Sequence, residues 1–309
     1  FLFKANLRQM ATEASRLSGA FLLATVATVI GVLVAITLVD VSQLVVGNRS
    51  AQETEAAIAG LFASTYIGGS VNYAALGEVT GLIREASFFS AATAVDNLYS
   101  ALYLSVLAIL PAWRWLAQRF APDSSEVIVD LAPDSKPTVT AQSLTYSLAL
   151  ALVIVACSDA LVAWLDWSMY RYAIITLVTV TIATTFPALA AKLEGSFELG
   201  VALSMVFFAS IAAGANVQAV ITLAPILIVF TGVLLLTHGL SLLLLGRFFK
   251  LTLPELLVAS NAAILGATTA PALAAAKGWQ HLITPGVLVG VLGYALGTLV
   301  GTALYQWLL

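Results

Sequence analysis

The sequence predicts an all-α polytopic membrane protein built from two structural repeats, each with a discontinuous helix. Three observations support this fold class. Of the 309 residues, 61% are hydrophobic and only 9% are charged, whereas soluble domains carry about 25% charged residues. The mean hydropathy is +1.00. Long apolar segments recur along the chain, and two of them contain a similar polar stretch with glycine at its centre.

The two polar stretches are residues 64–76, STYIGGSVNYAAL, and residues 261–273, NAAILGATTAPAL. With Gly69 aligned on Gly266, both begin with a small polar residue and end in Ala-Leu. Backbone that leaves the helix at membrane depth is tolerated only where it is buried in protein or lines a cavity. Paired interruptions in corresponding positions of two halves indicate the binding site of a transporter. We therefore predict that both helices unwind at these stretches.

The first repeat, residues 1–120, contains three predicted spans of about the 20 apolar residues that cross a bilayer. Residues 17–39 form an uninterrupted apolar run. Residues 56–83 form the first interrupted segment, between a polar loop and a charged turn. Residues 88–113 are apolar except for an acidic and amide pair about a third of the way in. The chain begins without Met, and we expect further spans before its first residue.

A polar linker at residues 121–139, with three prolines and four acidic residues, separates the repeats. The second repeat, residues 140–309, contains apolar runs bounded by charged or turn residues. Its predicted spans are residues 141–165, 172–193, 199–215, 220–245, the interrupted segment 256–276, and 283–309. From the first interrupted segment to the second, the chain advances by six predicted spans, an even number as in parallel repeats, unless one run does not cross. Arg and Lys fall almost evenly on the two predicted sides of the membrane. The choice between inverted and parallel repeats therefore stays open, and so does the orientation of the protein.

Unwinding of both interrupted helices would bring four half-helix ends together. The N-terminal ends carry positive partial charge and the C-terminal ends negative partial charge, so the pair can hold anions and cations. The predicted substrate or ion site comprises Ser64, Gly68, Gly69, Ser70, Asn72, Asp96, Asn97, Asn261, Gly266, Thr268, Thr269 and Pro271. The alternative is that small residues only permit close packing of helices.

Asp96 lies well inside an apolar span, where a carboxylate costs about 2.5–3.5 kcal/mol on insertion scales and marks a functional candidate. Such a group can exchange a proton for a metal ion, with Asn97 as a co-ligand. We expect Na⁺ to bind at Asn72, Asp96, Thr268 and Thr269, whose oxygens are hard ligands. The alternative role for Asp96 is a structural hydrogen bond to the unwound backbone.

Other polar groups carry weaker signals. Glu78 is either an interface carboxylate or a ligand, and His238 is expected to be a neutral, hydrogen-bonded histidine. The sequence contains no zinc-protease, nucleophile-elbow or phosphate-loop motif, so we expect no enzyme and no cofactor besides a coupling Na⁺ or H⁺. The net charge of −3 and the lack of a basic cluster exclude nucleic acid as a partner.

Four runs in the chain resemble the YjcL-like family, bacterial and plastid membrane proteins of unknown function. They are YIGGSVNY at residues 66–73, VDN at 95–97, ASNA at 259–262 and PGVLVGVLGYALGT at 285–298. The resemblance covers nearly the whole chain. It implies an integral protein of the bacterial inner membrane or, alternatively, of a plastid membrane.

More distantly, the layout resembles the superfamily of bile-acid/sodium symporters and cation/proton antiporters. That resemblance implies that residues 64–72 and 261–271 cross inside a mobile core domain, with Asp96-Asn97 in place of the antiporters' ion-binding pair. Antiporters often add a Lys or a second carboxylate at the crossing, and this sequence has neither there.

The predicted function is secondary active transport with elevator-type alternating access, in which a core domain moves past a scaffold domain. We expect the scaffold to include residues 17–39, 141–165 and 220–245 and to offer a homodimer interface. Paired helix N-termini favour Na⁺- or H⁺-coupled transport of a small anionic solute. The alternatives are a monovalent cation/proton antiporter and a non-transporting subunit of a membrane complex. Membrane lipid is a further expected partner.

Overall fold

All regular structure in the described part of the chain is helical. The computed structural model describes residues 2–5, 7, 11–12, 14–44, 46–120, 139–167, 170–190 and 192–309. The helices of eight or more residues are α1 (Ser15–Leu38), α2 (Ala51–Gly68), α3 (Ser70–Val79), α4 (Ala86–Ile109), α5 (Ala141–Leu165), α6 (Arg171–Thr185), α7 (Ser196–Ala213), α8 (Val217–Phe248), α9 (Leu253–Ile264), α10 (Thr269–Ala276) and α11 (Ile283–Leu308). The predicted linker, residues 121–139, lies outside the described residues except for Val139.

Six segments of the described chain are long and apolar enough to cross a membrane: α1, α4 with its 3₁₀ extension to Ala112, α5, α7, α8, and α11 with the preceding 3₁₀ turn. The longest of them, α8, has 32 residues, well above the roughly 20 that a bilayer needs. The prediction of an all-α polytopic membrane protein is confirmed.

Both interrupted segments consist of two helices in the structure. Between α2 and α3, Gly69 has φ +76° and ψ −173°, a conformation that side chains disfavour. Between α9 and α10, the chain leaves the helix at residues 265–268, where Gly266 has φ +93°. The second break is shorter than predicted. Pro271 lies in the first turn of α10, where its missing N–H removes a donor that the helix would leave unpaired.

The helix α6 is shorter than the span predicted at residues 172–193, and this corrects the prediction. It ends at Thr185 because Phe186 precedes Pro187, and the residue before proline is disfavoured in helical conformation. At about 1.5 Å per residue, its 15 residues reach roughly 22 Å, less than the hydrocarbon thickness of about 30 Å.

Capping boxes begin three of the helices. Ser50 caps α2, Thr140 caps α5 and Thr252 caps α9, each with a reciprocal bond from the third helical residue. Such caps satisfy N–H groups that the helix itself leaves unpaired. The third residue of α9, Glu255, also forms an ion pair with Arg16 of α1, which fixes the two helices to each other.

The helices α1 and α8 pack directly against the broken helices. Small residues on α1 allow this close approach. A Cβ on Gly31 would lie 2.6 Å from the carbonyl oxygen of Leu234 in α8. One apolar cluster joins α1 to α9 and α11, and a second joins α2 to α4 and α8.

The helices α5 and α7 instead expose much of their apolar surface. Large side chains such as Leu152, Trp164, Leu203 and Met205 are more than half exposed. Because contiguous exposed apolar surface marks an interaction face, these helices suit contact with membrane lipid.

Candidate functional site

The two helix breaks meet inside the protein. A Cβ on Gly69 would lie 3.8 Å from the Cα of Gly266 and 3.9 Å from the carbonyl oxygen of Leu265. Beside them, a Cβ on Gly68 would overlap the carbonyl oxygen of Gly293 in α11. The backbones at this point are therefore in contact, and the non-helical segments are packed against protein, as membrane depth requires.

A cavity of about 530 Å³ lies at this meeting point, within the range of small-ligand sites. Five of the predicted site residues line it: Gly69, Ser70, Asp96, Asn97 and Thr268. The remaining wall is mostly apolar and comes largely from α3, α7 and α11. No Lys, Arg or His is among the described residues that line the cavity.

Two helix N-termini adjoin the cavity without side-chain caps. The helix α3 begins at Ser70 and α10 begins at Thr269, and neither start receives a hydrogen bond from a capping side chain. This differs from the capped starts of α2, α5 and α9. The first N–H groups of a helix lack intrahelical partners and carry positive partial charge. The cavity is therefore bordered by two sets of backbone donors that suit an anionic group.

Asp96 supplies the negative charge of the cavity. Its Oδ1 atom is buried and has no hydrogen-bond partner. The ion pairs in the described chain, Arg16–Glu255 and Arg171–Asp159, do not involve it. A buried carboxylate without a cationic partner is strongly destabilising unless a proton or a cation neutralises it. This arrangement can therefore bind a coupling ion.

Two residues that the sequence did not single out lie near Asp96. The hydroxyl groups of Tyr66 on α2 and Thr231 on α8 are fully buried, and neither makes a hydrogen bond of normal geometry to a described residue. Tyr66 is adjacent to both Asp96 and Thr231. Thr231 lies in the apolar run of α8, where nothing in the sequence indicates that it belongs to the site. Tyr66 lies inside the predicted motif, but an aromatic residue among apolar neighbours is not distinctive there.

Asn72, which the sequence predicts as a Na⁺ ligand, is not among the residues that line this cavity. Its Nδ2 donates to the carbonyl oxygen of Gly293 at 3.0 Å, and its Oδ1 accepts from the Thr298 hydroxyl at 2.7 Å. Both ends of the amide are thus used to join α3 to α11. Ser64 is also fully buried outside the cavity, and its hydroxyl lies 2.7 Å from the carbonyl oxygen of Leu61.

The remaining predicted residues shape the second break. Thr269 donates to Oδ1 of Asn261 at 2.6 Å, so it links the two sides of the break and does not line the cavity as an ion ligand. Gly266 gives room to Tyr294, whose hydroxyl would lie 3.6 Å from a Cβ at that position. Pro271 packs near Gly286 of α11.

A second cavity of about 320 Å³ lies next to the first. Val71 and Tyr294 line both cavities, so these two side chains stand between them. The second cavity also contains Glu78 and Asn72. Glu78, near the end of α3, therefore lines the second cavity and not the one that contains Asp96.

A buried polar chain holds the first broken helix in place. His238 of α8 contacts the Thr28 hydroxyl through Nδ1 and the Ser260 hydroxyl through Nε2, both at 2.9 Å. Ser260 lies 2.7 Å from the hydroxyl of Tyr103, and Thr28 lies 3.0 Å from the carbonyl oxygen of Tyr66. The expectation that His238 is hydrogen-bonded is confirmed, and the chain joins α1, α4, α8 and α9.

Comparisons with known proteins give the family. The family model described as "Protein of unknown function (DUF819)" matches residues 1–309. The chain is 31% identical over 325 residues to "Uncharacterized membrane protein YjcL" of Bacillus subtilis (strain 168), covering 99% of this chain and 79% of that protein. No solved structure matches the chain. The chain therefore belongs to the DUF819 family, and its resemblance to YjcL-like membrane proteins is confirmed.

Proposed function

We propose that this member of a family without an assigned function is a secondary active transporter of the bacterial inner membrane. It couples the movement of Na⁺ or H⁺ to that of a small anionic solute, and it catalyses no chemical reaction. The observation that carries the proposal is one cavity bordered by two uncapped helix N-termini and by a buried carboxylate without a cationic partner.

The anionic solute would bind at the starts of α3 and α10. Backbone N–H groups at helix N-termini bind carboxylate or phosphate groups without any basic side chain. Gly69, Ser70 and Thr268 place these starts at the cavity wall. The apolar side chains of α7 on the opposite wall would contact the rest of the solute.

The coupling ion would bind at Asp96. Neutralising this carboxylate removes a negative charge from the cavity that also holds the anion, so each ligand favours the binding of the other. Mutual stabilisation of two ligands is a coupling free energy. The preferred states for transport are therefore the empty cavity and the cavity with both ligands bound.

Alternating access requires an outlet on each side of the breaks. The two cavities that meet at Val71 and Tyr294 would serve as these outlets. The short α6 supports an inverted repeat, because the chain then advances by five spans, an odd number, from the first broken helix to the second. In the elevator form of this proposal, α5, α6 and α7 form the scaffold, and α1 and α8 move with the broken helices.

The second candidate is monovalent cation/proton antiport. It is favoured by the lack of basic residues among the described residues of the cavity wall, since an antiporter needs only the carboxylate. The third alternative, a non-transporting subunit of a membrane complex, leaves the uncapped helix starts and the cavity without a role.

The experiment is flux in proteoliposomes containing the purified full chain. Labelled carboxylates, sulfate and phosphate serve as solute probes under an imposed Na⁺ or pH gradient, and a pH-sensitive dye reports proton movement when Na⁺, K⁺ or Li⁺ is added alone. We expect gradient-driven uptake of one anionic probe, abolished by Asp96→Asn and retained by Asp40→Asn, a loop carboxylate. Proton movement on cation addition alone would identify an antiporter, and neither flux would indicate the non-transporting alternative.

A further inference from the structure

Three buried oxygen groups cluster where α2, α4 and α8 meet. They are the Tyr66 hydroxyl, Oδ1 of Asp96 and the Thr231 hydroxyl. The Tyr66 hydroxyl is close enough to interact with Asp96 and with Thr231, but none of the three atoms makes a hydrogen bond of normal geometry to a described group. Tyr66 and Thr231 are 0% exposed. Since buried polar groups in native proteins are nearly always paired, three adjacent unpaired groups indicate that something else satisfies them.

From this cluster we infer a binding site for a dehydrated Na⁺ ion, with Tyr66, Asp96 and Thr231 as its side-chain ligands. The inference rests on the proposed function, and it replaces Asn72, Thr268 and Thr269 as Na⁺ ligands. Asp96 lines the large cavity and also lies beside the buried hydroxyl of Tyr66, which in turn lies beside the hydroxyl of Thr231. The ion therefore enters from the cavity and is held behind its wall.

The charge of the cluster selects a monovalent ion. Calcium takes six to eight oxygen ligands, usually with several carboxylates, and Mg²⁺ requires a near-octahedral shell with retained waters. The described residues contain no group of three or more His, Cys, Asp or Glu that could hold a metal ion, and Asp96 is the acid of this cluster. One carboxylate and two hydroxyls balance one positive charge and supply only hard oxygen donors.

The ion would also tie three helices together. Tyr66 precedes the break of α2 by three residues, and its carbonyl oxygen is held by Thr28, which contacts His238 of α8. Thr231 lies on the same helix as His238, two turns earlier. Binding of Na⁺ would therefore fix α4 to the frame that α2 and α8 already share, and it should stabilise the folded protein by mass action.

The test is Na⁺-dependent thermal unfolding of the purified full chain in detergent, followed by the fluorescence of its 6 tryptophans. Choline chloride at equal ionic strength is the reference. We expect Na⁺ to raise the Tm of the wild type, and Asp96→Asn to abolish this rise. Tyr66→Phe and Thr231→Val should each raise the Na⁺ concentration for half-maximal stabilisation by roughly tenfold or more.

Two variants serve as controls. Ser90→Ala removes another buried, unpaired hydroxyl of α4, about 9 Å along the helix from Asp96, and should leave the Na⁺ response unchanged. Thr231→Ser keeps the ligand oxygen and should retain most of the wild-type response. Its comparison with Thr231→Val tests the site even if Tyr66→Phe does not fold. Measuring binding without flux separates this inference from the transport proposal.

An equal Na⁺ response in the wild type, Tyr66→Phe and Thr231→Val would overturn the assignment of the two hydroxyls. The site would also be overturned if the wild type transports under a pH gradient but Na⁺ does not raise its Tm, because Asp96 would then carry a proton. In that case the proposed transport function would stand.

Discussion

Gly69 and Gly266 face each other where the two broken helices meet: a Cβ on Gly69 would lie 3.8 Å from the Cα of Gly266. Both have positive φ values, +76° and +93°. They lie 197 positions apart in the sequence and bring two helix interruptions into direct contact. This contact places the starts of α3 and α10 beside one cavity, and the packing around it determines the first prediction.

Substitution of Gly68 by alanine should destabilise the protein. The added methyl group would overlap the carbonyl oxygen of Gly293 and the side chain of Asn72, neither of which can move without shifting α11 or α3. Overpacking of this kind typically costs about 1–3 kcal/mol. Thermal unfolding in detergent should show a lower Tm for Gly68→Ala.

The matched control is Gly19→Ala in α1. A Cβ at this position meets nothing within 4 Å, and alanine is favoured over glycine inside a helix by about 0.5–1 kcal/mol. We expect an unchanged or slightly higher Tm. Equal Tm values for both variants would contradict the close packing of α2 against α11.

Asn72→Ala should lower stability without changing cation dependence. The substitution removes the bonds to Gly293 and Thr298 and leaves a buried hydroxyl and a buried carbonyl group without these partners, at about 1–3 kcal/mol. Thr298→Val removes one of the same bonds and should cost less. A changed Na⁺ response in Asn72→Ala, measured by the same thermal titration, would restore Asn72 as a ligand.

The two glycines and Asn72 show how far the sequence leads. Helix breaks at Gly69 and Gly266 were predictable because glycine and small polar residues inside an apolar run have few other uses at membrane depth. Asp96 was predictable for the same energetic reason. The role of Asn72 was not, because its partners lie more than 200 residues away and an amide can serve equally as a ligand or as a link between helices.

Other errors have local causes. The end of α6 at Thr185 had a signal, the dipeptide of Phe186 and Pro187, which the hydropathy of the run concealed. The packing of α1 against α9 and α11 was not predictable, because hydropathy does not report which helix faces a neighbour. Thr231 gave no signal at all, since only the folded chain brings it next to Tyr66.

Removal of the His238 ring should destabilise the core cooperatively. His238→Phe removes the hydrogen bonds between the ring and the hydroxyls of Thr28 and Ser260. Each hydroxyl keeps another partner, so we expect a loss of about 0.5–1.5 kcal/mol for each bond removed. Ser260→Ala removes a link of the same chain, so the double variant should lose less free energy than the sum of the single variants. Ser105→Ala, on an exposed face of α4, should change the Tm little. Strict additivity of the first two changes would contradict a connected chain.

The loop after α1 should show a pH-dependent contribution from Asp40. Hydrogen bonds from the hydroxyl of Ser42 and the amide of Gln43 hold the pKa of Asp40 below its usual value of 3.8. A carboxylate with a lowered pKa stabilises the folded state above the unfolded pKa, and this stabilisation is lost as the pH falls through the folded-state pKa. The Tm of Asp40→Asn should lie below that of the wild type at pH 7, and the gap should close below about pH 3.8. A gap that persists in acid would exclude this cause.

Tyr294 should act as the barrier between the two cavities. Its ring and Val71 line both of them, its hydroxyl reaches the backbone of Ala267 at the second break, and its ring packs against Phe197 with the centroids 6.5 Å apart. Tyr294→Ala removes this bulk, so we expect proteoliposomes to show passive Na⁺ entry several-fold faster than the wild type without added solute. Tyr294→Phe keeps the ring and should remain tight. If Tyr294→Ala is as tight as the wild type while its Tm is unchanged, Tyr294 is not the barrier between the two cavities.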